Sequence, residues 1–118
     1  SMFRFEKFDV WHRAVEFADI VYADTRSFPS DERFGLTSQM RRAAVSISSN
    51  IAEGTSRSSD RDFSRFVEIA YGSLMEVVSQ AVVAMRQEFM TVDRLEALKL
   101  KAEALARMLS GLQATLKK

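Results

Sequence analysis

Three arginines recur at four-residue intervals near the middle of this sequence. Arg57, Arg61 and Arg65 are each separated by about one helical turn, a spacing that aligns side chains on one face of a helix. Guanidinium groups bind phosphate oxygens through several hydrogen bonds at once. The three arginines therefore predict a surface that contacts the phosphates of RNA or DNA. The alternative is a solvated helix face, because acidic residues are interleaved with the arginines.

A second set of polar residues lies in the segment 36–54, LTSQMRRAAVSISSNIAEG. Arg41 and Arg42 are adjacent, so a helix with 3.6 residues per turn directs them toward different neighbours. We expect Arg42 to pair with Glu53 or with Glu76. We expect Arg41 to face a subunit interface or a ligand. The alternative is that both arginines form structural ion pairs within or between protomers.

Asn50 and Gly72 are expected at contacts between helices or between protomers. Asn50 lies at helical spacing from Ser46 and Glu53 among small and aliphatic neighbours, which favours a buried polar contact that fixes register. The alternative for Asn50 is a solvated helix residue. Gly72 falls inside a predicted helix, where glycine costs about 1 kcal/mol relative to alanine. Close approach of another backbone would explain that glycine.

The sequence offers few residues for catalysis. Asp9 and His12 have the carboxylate-x-x-His spacing of a di-iron bundle, but that site needs two such motifs and two more carboxylates. His12 is the only histidine, and the sequence indicates no Ser-His-Asp arrangement around it. The chain has no cysteine, which excludes a cysteine nucleophile or a cysteine metal ligand. No phosphate-binding glycine loop is present. We therefore expect no enzyme, no cofactor and no metal site.

Four aromatic residues near the N-terminus have two interpretations. Phe3, Phe5, Phe8 and Trp11 could stack on nucleic-acid bases, as aromatic side chains do in single-strand binding proteins. They could instead pack at the end of a helix bundle or between subunits. The scarcity of neighbouring cations favours packing.

Length and composition indicate one domain over residues 1–118. The net charge of +1 argues against a protein that binds phosphates over its whole surface. No apolar run was found that reaches the roughly 18 residues of a membrane span, and the N-terminus lacks the layout of a signal peptide. We expect a cytoplasmic protein that does not enter a membrane.

Apolar residues recur every three or four positions in four segments, the period of amphipathic helices. These segments are about 10–26, 37–53, 60–88 and 93–116. In the last segment, leucine and alanine follow a three-four spacing typical of left-handed bundle packing. The connectors are short, so the sequence predicts an all-α, antiparallel up-down-up-down four-helix bundle.

Residues with capping preferences mark the expected helix ends. Asp9 is expected to cap the first helix and Thr37 or Ser38 the second, while Ser59 or Asp60 should cap the third. Gly54 should end the second helix as a C-cap, since glycine takes the left-handed conformation without steric cost. Phe34 is expected to tuck under the loop before the second helix.

The pattern of residues resembles the family of 23S ribosomal RNA intervening-sequence proteins, small four-helix bundles similar to the accessory variability protein of diversity-generating retroelements. The resemblance covers nearly the whole chain. Its residues are Val10-Trp11, Phe28-Pro29 with Glu32, Leu36 and Gln39-Met40-Arg41-Arg42-Ala43, Asn50-Ile51-Ala52-Glu53-Gly54 with Arg57, and Ile69-Ala70-Tyr71-Gly72-Ser73-Leu74 with Glu76.

The resemblance implies a closed homo-oligomer, a homopentamer, without catalytic activity. We therefore expect a non-catalytic scaffold or adaptor whose protomer contacts involve Arg41, Arg42, Asn50, Glu53, Gly72 and Glu76. The alternative is a nucleic-acid-binding accessory protein that acts with RNA or DNA and with a reverse transcriptase. It would use the three arginines described first. A separate protein partner is compatible with both readings.

Overall fold

Four α-helices and two short 3-10 turns form the part of the chain that the computed structural model describes, residues 3–118. The helices are α1 (Asp9–Thr25), α2 (Leu36–Thr55), α3 (Asp60–Arg86) and α4 (Val92–Leu116), and the turns are Arg4–Lys7 and Ser30–Glu32. Residues 3–118 contain no strand and occupy a body of 44 × 22 × 22 Å. The predicted all-α class with four helices is confirmed.

All four helices contribute to one hydrophobic core. The largest apolar side chains that are fully buried are Phe63, Met40, Ile47, Ile51, Leu74, Leu98, Leu109, Val21, Val67 and Val77. They recur at the spacings of three and four that the sequence showed. Burying one such side chain contributes about 1.5–3 kcal/mol, so the core is the main source of stability. On α4 the leucine seam is fully buried only as far as Leu109.

The start of α2 is capped by a residue outside the helix. The Oε1 atom of Glu32 accepts a hydrogen bond from the Leu36 N–H at 3.1 Å. Thr37 and Ser38 lie inside the helix, so the prediction that one of them caps it was wrong. A carboxylate at this position satisfies an unpaired N–H and interacts favourably with the positive end of the helix dipole.

Other helix ends differ from the prediction by one or two residues. α1 begins at Asp9 itself, so Asp9 is not its N-cap. Ser59 caps α3 as predicted, because its Oγ accepts a hydrogen bond from the Asp62 N–H at 3.2 Å. α3 ends at Arg86 rather than residue 88, and Glu88 has a left-handed φ of 66° that turns the chain away from the helix.

Gly54 has a packing role rather than a capping role. α2 continues through Thr55, and no glycine in residues 3–118 has a positive φ, so the predicted C-cap was wrong. A Cβ atom on Gly54 would lie 2.7 Å from a ring carbon of Phe63 and 2.9 Å from the Cβ of Phe66. The absence of a side chain lets α2 and α3 approach each other closely.

Gly72 has no such neighbour in its own chain. A Cβ atom there would meet no atom within 4 Å, and the residue is exposed on α3. The predicted close approach of a backbone is therefore not made within the chain. Approach by a second protomer stays a prediction.

Phe34 lies on the surface, contrary to the prediction that it tucks under the loop. Its side chain is 89% exposed, and the guanidinium of Arg33 lies 5.3 Å from its ring centroid. The aromatic residue that fills this end of the bundle is Phe28, which is buried and lies 5.8 Å from the ring of Phe89.

α3 is long and apolar enough to cross a membrane by length and composition. Its most apolar 18-residue window has a mean hydropathy of 1.3, and 28% of that window is buried within the described chain. The sequence-based expectation concerned an uninterrupted apolar run, whereas this finding rests on the average over a window of α3, a helix that contains Glu68 and Glu76. The core helix of a soluble protein can meet the same criterion.

Substituting Glu32→Ala should lower the free energy of unfolding by about 1 kcal/mol, because the Leu36 N–H loses its acceptor. Urea denaturation followed by circular dichroism measures the change. Asp31→Ala is the matched control, since Asp31 lies in the same turn and is exposed. Equal shifts of the two midpoints would contradict the assigned cap.

Gly54→Ala should destabilise the protein by about 1–3 kcal/mol, because the added methyl group overpacks the contact with Phe63 and Phe66. Gly111→Ala, which meets no atom within 4 Å, should stabilise it by about 0.5–1 kcal/mol through helix propensity. Chemical denaturation of both variants makes the comparison. Stabilisation by Gly54→Ala would show that the close approach is not required.

Candidate interaction surfaces

A row of exposed residues runs along the outside of α3. This α3 outer row consists of Arg65, Ile69, Gly72, Glu76, Ser79 and Val83, which alternate at spacings of four and three and are all exposed. Ile69 is 51% exposed and Val83 47% exposed. Helical residues at this spacing lie on one side of the helix. The row therefore forms an unpartnered face with apolar residues near both ends and a glycine between them.

A polar network joins α2 to α3 beside this row. The hydroxyls of Ser46 and Ser73 are hydrogen-bonded at 2.9 Å. Asn50 Nδ2 donates to the backbone oxygen of Ser46 at 2.7 Å and to its hydroxyl at 2.9 Å. The structure thus gives Asn50, which is half-buried, partners in its own chain. A contact between Asn50 and a neighbouring chain stays a prediction.

The ion pairs predicted for Arg42 are not formed within the chain. Among residues 3–118, Arg42 has neither a salt bridge nor a side-chain hydrogen bond, and it is exposed. Glu53 instead lies 3.3 Å from Arg57, one turn further along. Glu76 accepts a hydrogen bond from Gln80 Nε2 at 3.2 Å. The side chain of Arg42 is therefore available to a second molecule.

Arg41 contacts α1. Its Nε donates to Thr25 Oγ1 at 2.9 Å, and its guanidinium lies 4.6 Å from the ring centroid of Tyr22. A cation over an aromatic face at this distance contributes about 0.5–1 kcal/mol at an exposed site. Arg41 forms no salt bridge in the described chain, so the predicted structural ion pair is not made within the protomer. A contact of Arg41 with another protomer or a ligand stays a prediction. No pattern in the sequence indicated that Tyr22 and Thr25 would lie opposite Arg41.

The three arginines do not form one row. Arg57 lies in the connector before α3 begins at Asp60, so the predicted alignment on one helix face was wrong for that residue. Its guanidinium lies 4.6 Å from the ring centroid of Phe66. Arg57 and Arg65 nevertheless line the same shallow concavity. The connector between α2 and α3 brings Arg57 close to Arg65, although the two residues do not share a helix.

Arg61 and Arg65 meet the end of α4. They line a second concavity with Lys117 and Lys118, and the acidic residues Asp60 and Glu68 also line it. We call the four basic residues of this concavity the basic end. Four cations against two carboxylates leave it positive. Lys117 and Lys118 lie more than 50 positions from Arg61 in the sequence, and only the packing of α4 beside α3 brings them together.

The N-terminal aromatic residues pack on one another and on the bundle. The ring centroids of Phe5 and Trp11 are 4.7 Å apart, and those of Phe8 and Phe63 are 5.6 Å apart. Arg4 attaches this segment to the end of α2, because its Nη1 donates a hydrogen bond to the backbone oxygen of Thr55 at 2.8 Å. The arrangement matches packing at the bundle end. Only Phe3 among these rings is classed as exposed, at 57%.

The residues with a di-iron spacing are used differently. A ring nitrogen of His12 is 2.7 Å from the backbone oxygen of Glu6, and Asp9 lies in the first turn of α1. Within the described range, no three histidine or acidic side chains are grouped in a way that would hold a metal ion. The residues that the structure does bring together therefore offer surfaces for binding.

The chain is similar to a known protein family and to a solved structure. Residues 6–111 match the family described as 23S rRNA-intervening sequence protein. No curated protein matches the chain. A solved structure from Bacteroides thetaiotaomicron, described as a protein with unknown function from the S23 ribosomal protein family, is similar with a TM-score of 0.75 and 23% identity. The alignment covers 85% of this chain and 94% of that one, and at this identity it shows a shared fold.

The family match spans nearly the whole length of the chain and includes the segments that carried the resemblance in the sequence. The chain therefore belongs to the 23S rRNA-intervening sequence protein family.

Proposed function

We propose that this protein is a non-catalytic scaffold or adaptor that assembles with itself through the outer surfaces of α2 and α3. In this proposal the protomer is an antiparallel up-down-up-down bundle, and five protomers close into a ring. The observation that carries the proposal is the exposed apolar surface of α3. Four of the ten large hydrophobic residues exposed in the described chain lie on this one helix: Ile69, Tyr71, Met75 and Val83.

Such a surface favours a permanent partner. Exposed apolar side chains are the kind of surface that a partner covers, because their contact with water is unfavourable. Ile69 and Val83 lie on the α3 outer row, whereas Tyr71 and Met75 lie further round the exposed side of the helix. A second copy of this chain would cover such side chains without any other molecule being required.

The polar residues on this surface suit a specific contact. Gly72 has open space above it, which permits the backbone of a neighbouring helix to approach. Arg42 has no partner in its own described chain, while Glu76 is exposed on the neighbouring helix. Opposite charges across an interface set orientation and exclude wrong partners. Arg42 of one protomer is therefore proposed to pair with a carboxylate of the next.

A closed ring follows if the two contacting patches differ. A head-to-tail contact between different patches generates a ring when the rotation closes. The family resemblance supports five as the number of protomers. Binding sites on a ring of this kind act together, so weak contacts add up through effective concentration. The protein would act as a scaffold in this way.

The double variant Ile69→Asp, Val83→Asp should convert the assembly to smaller species, because two carboxylates cannot be buried against an apolar partner without a large cost. Light scattering coupled to size exclusion measures the mass. Leu100→Asp is the matched control, since Leu100 is 68% exposed on α4, away from this surface. A natural protein that runs as a monomer, or equal effects of both variants, would contradict the proposal.

Gly72→Trp should also reduce the assembled mass while leaving the protomer folded, because the space above Gly72 is open in the single chain. Gly111→Trp is its control, since Gly111 is equally open on α4. Circular dichroism reports folding and light scattering reports mass. An unchanged mass for Gly72→Trp would exclude Gly72 from the contact.

The basic end supports a second candidate function, binding of RNA or DNA as an accessory to a reverse transcriptase. Four cations from α3 and α4 line its concavity, and Arg57 is next to it through Arg65. Repetition around a ring would multiply these contacts. The net charge of the chain is only +1, so the positive charge of the basic end is offset by acidic residues elsewhere on the surface. Phosphate binding is driven by positive charge, and we therefore rank this function second.

Labelled RNA and DNA should bind at about 50 mM salt and dissociate at about 200 mM if several phosphates are contacted. Fluorescence anisotropy measures both. The variant Arg57→Ala, Arg61→Ala, Arg65→Ala should abolish the binding. A control with the same change in charge is Arg13→Ala, Lys101→Ala, Arg107→Ala, whose residues line a different concavity, between α1 and α4. No binding at low salt would remove this candidate.

A further inference from the structure

A groove runs between α1 and α4, on the edge of the bundle opposite the α2–α3 pair. We call it the α1–α4 groove. Its volume is about 380 Å³, its floor is made of Phe17, Ile20, Leu105 and Met108, and its rim carries Arg13, Glu16, Lys101 and Arg107. Ala104 contributes to the wall with a side chain too small to fill it. The floor is apolar and most of the rim is cationic.

An ion pair joins α1 and α4 beyond one end of this groove. The Arg94 guanidinium lies 3.4 Å from the Asp24 carboxylate, whose side chain is only 6% exposed. Burial raises the pKa of Asp24, and the neighbouring Arg94 partly offsets this rise. Of the four neighbouring helix pairs, α1 and α4 make the least extensive contact. The groove is formed by residues of two helices and not by a loop.

The charges on the rim are not neutralised within the chain. Lys101 and Arg107 form no salt bridge in residues 3–118. Arg13 lies 3.9 Å from Glu16, and both side chains are 62% exposed, a geometry in which an ion pair contributes little. Three cations against one carboxylate leave the rim positive. A ligand that complements it must carry negative charge.

We propose that the α1–α4 groove binds an acidic amphipathic helix of a partner protein. The groove follows α1 from residue 13 to residue 20 and α4 from residue 101 to residue 108, about two helical turns or roughly 10 Å at 1.5 Å per residue. A helix that enters such a groove uses apolar anchors at positions i, i+3 or i+4, and i+7. Glutamates or aspartates beside those anchors would reach Lys101 and Arg107.

The groove suits a helix better than a nucleic acid strand. Its floor is mainly aliphatic, and the one aromatic residue, Phe17, is 2% exposed, so it offers no ring face for stacking of bases. Aliphatic side chains gain free energy by leaving water for such a floor, in proportion to the area they bury. The positive rim then selects acidic helices over neutral or basic ones.

This inference goes beyond self-assembly, because the groove and the α3 outer row use different helices. Copies of the groove on one ring would bind several partner helices together. The assembled mass and the binding of a helix are separate measurements, so failure of one proposal is distinguishable from failure of the other.

The experiment uses the full chain and three fluorescein-labelled helical peptides of about 18 residues, long enough for marginal helix formation. The first has leucines at i, i+4 and i+7 with flanking glutamates. The second replaces the glutamates by lysines, and the third replaces the leucines by serines. Anisotropy should show binding of the first peptide, at least tenfold tighter than binding of either other peptide.

Two groups of variants locate the binding. Lys101→Glu, Arg107→Glu should weaken binding of the first peptide at least tenfold, whereas Lys117→Glu, Lys118→Glu, the same change in charge at the basic end, should not. Ala104→Trp, at an exposed position, should block the groove without reversing a charge and should weaken binding to a similar extent. All variants are checked for unchanged circular dichroism and mass.

Four results would overturn the proposal. The first is no binding of the first peptide at about 1 mM, where even a weak site would be occupied. The second is equal binding of the glutamate and lysine peptides. The third is a fall in assembled mass in Lys101→Glu, Arg107→Glu, which would make the groove a contact between copies of this chain. The fourth is binding of single-stranded RNA that is lost in the same variant while peptide binding is retained.

Discussion

The close approach of α2 to α3 at Gly54 determines much of the rest of this structure. Because Gly54 has no side chain, the ring of Phe63 and the Cβ of Phe66 can lie 2.7 and 2.9 Å from the position that a Cβ atom on Gly54 would occupy. Two helices that approach this closely bury the apolar residues between them completely, as Ile47, Ile51 and Leu74 show. The pair makes the most extensive contact between helices in the described chain. The other two helices then pack against a preformed surface.

A tightly packed pair leaves little room for polar groups, and three of those present are hydrogen-bonded to each other. Ser46, Asn50 and Ser73 form one network at the edge of the contact. Hydroxyl and amide groups with satisfied hydrogen bonds fix the register of two helices, since a shift of either helix would leave a donor unpaired at a cost of about 1–3 kcal/mol. The register in turn determines which residues of α3 point outward. The outer row of α3 is exposed because the inner rows are committed to α2 and α4.

The two edges of the bundle differ in packing and in chemistry. At the α2–α3 edge, the aliphatic residues Ile69 and Val83 and the glycine Gly72 are exposed on α3. Arg42 of α2 is also exposed and forms no salt bridge within residues 3–118. At the α1–α4 edge, a groove has an apolar floor and a cationic rim. The exposed aliphatic residues of the outer row favour contact with another copy of the chain, whereas a positive groove favours a ligand of opposite charge. One small fold thus presents two surfaces that do not compete for the same residues.

The amino-acid sequence by itself determined the four helices, the core positions and the all-α class, because helical periodicity and short connectors are local properties of the chain. It also indicated packing as one of two interpretations of the N-terminal aromatic residues. For Asn50 it predicted a polar contact, and the partner in the described chain is Ser46 of the same helix. The cap by Glu32, the role of Gly54 and the partner of Arg41 depended on residues brought together only by packing. So did the meeting of Lys117 and Lys118 with Arg61 and the groove between α1 and α4. A linear sequence records which residues share a helix face, but the distance between two faces is decided by side-chain volumes across the core, and only the tertiary structure contains that information.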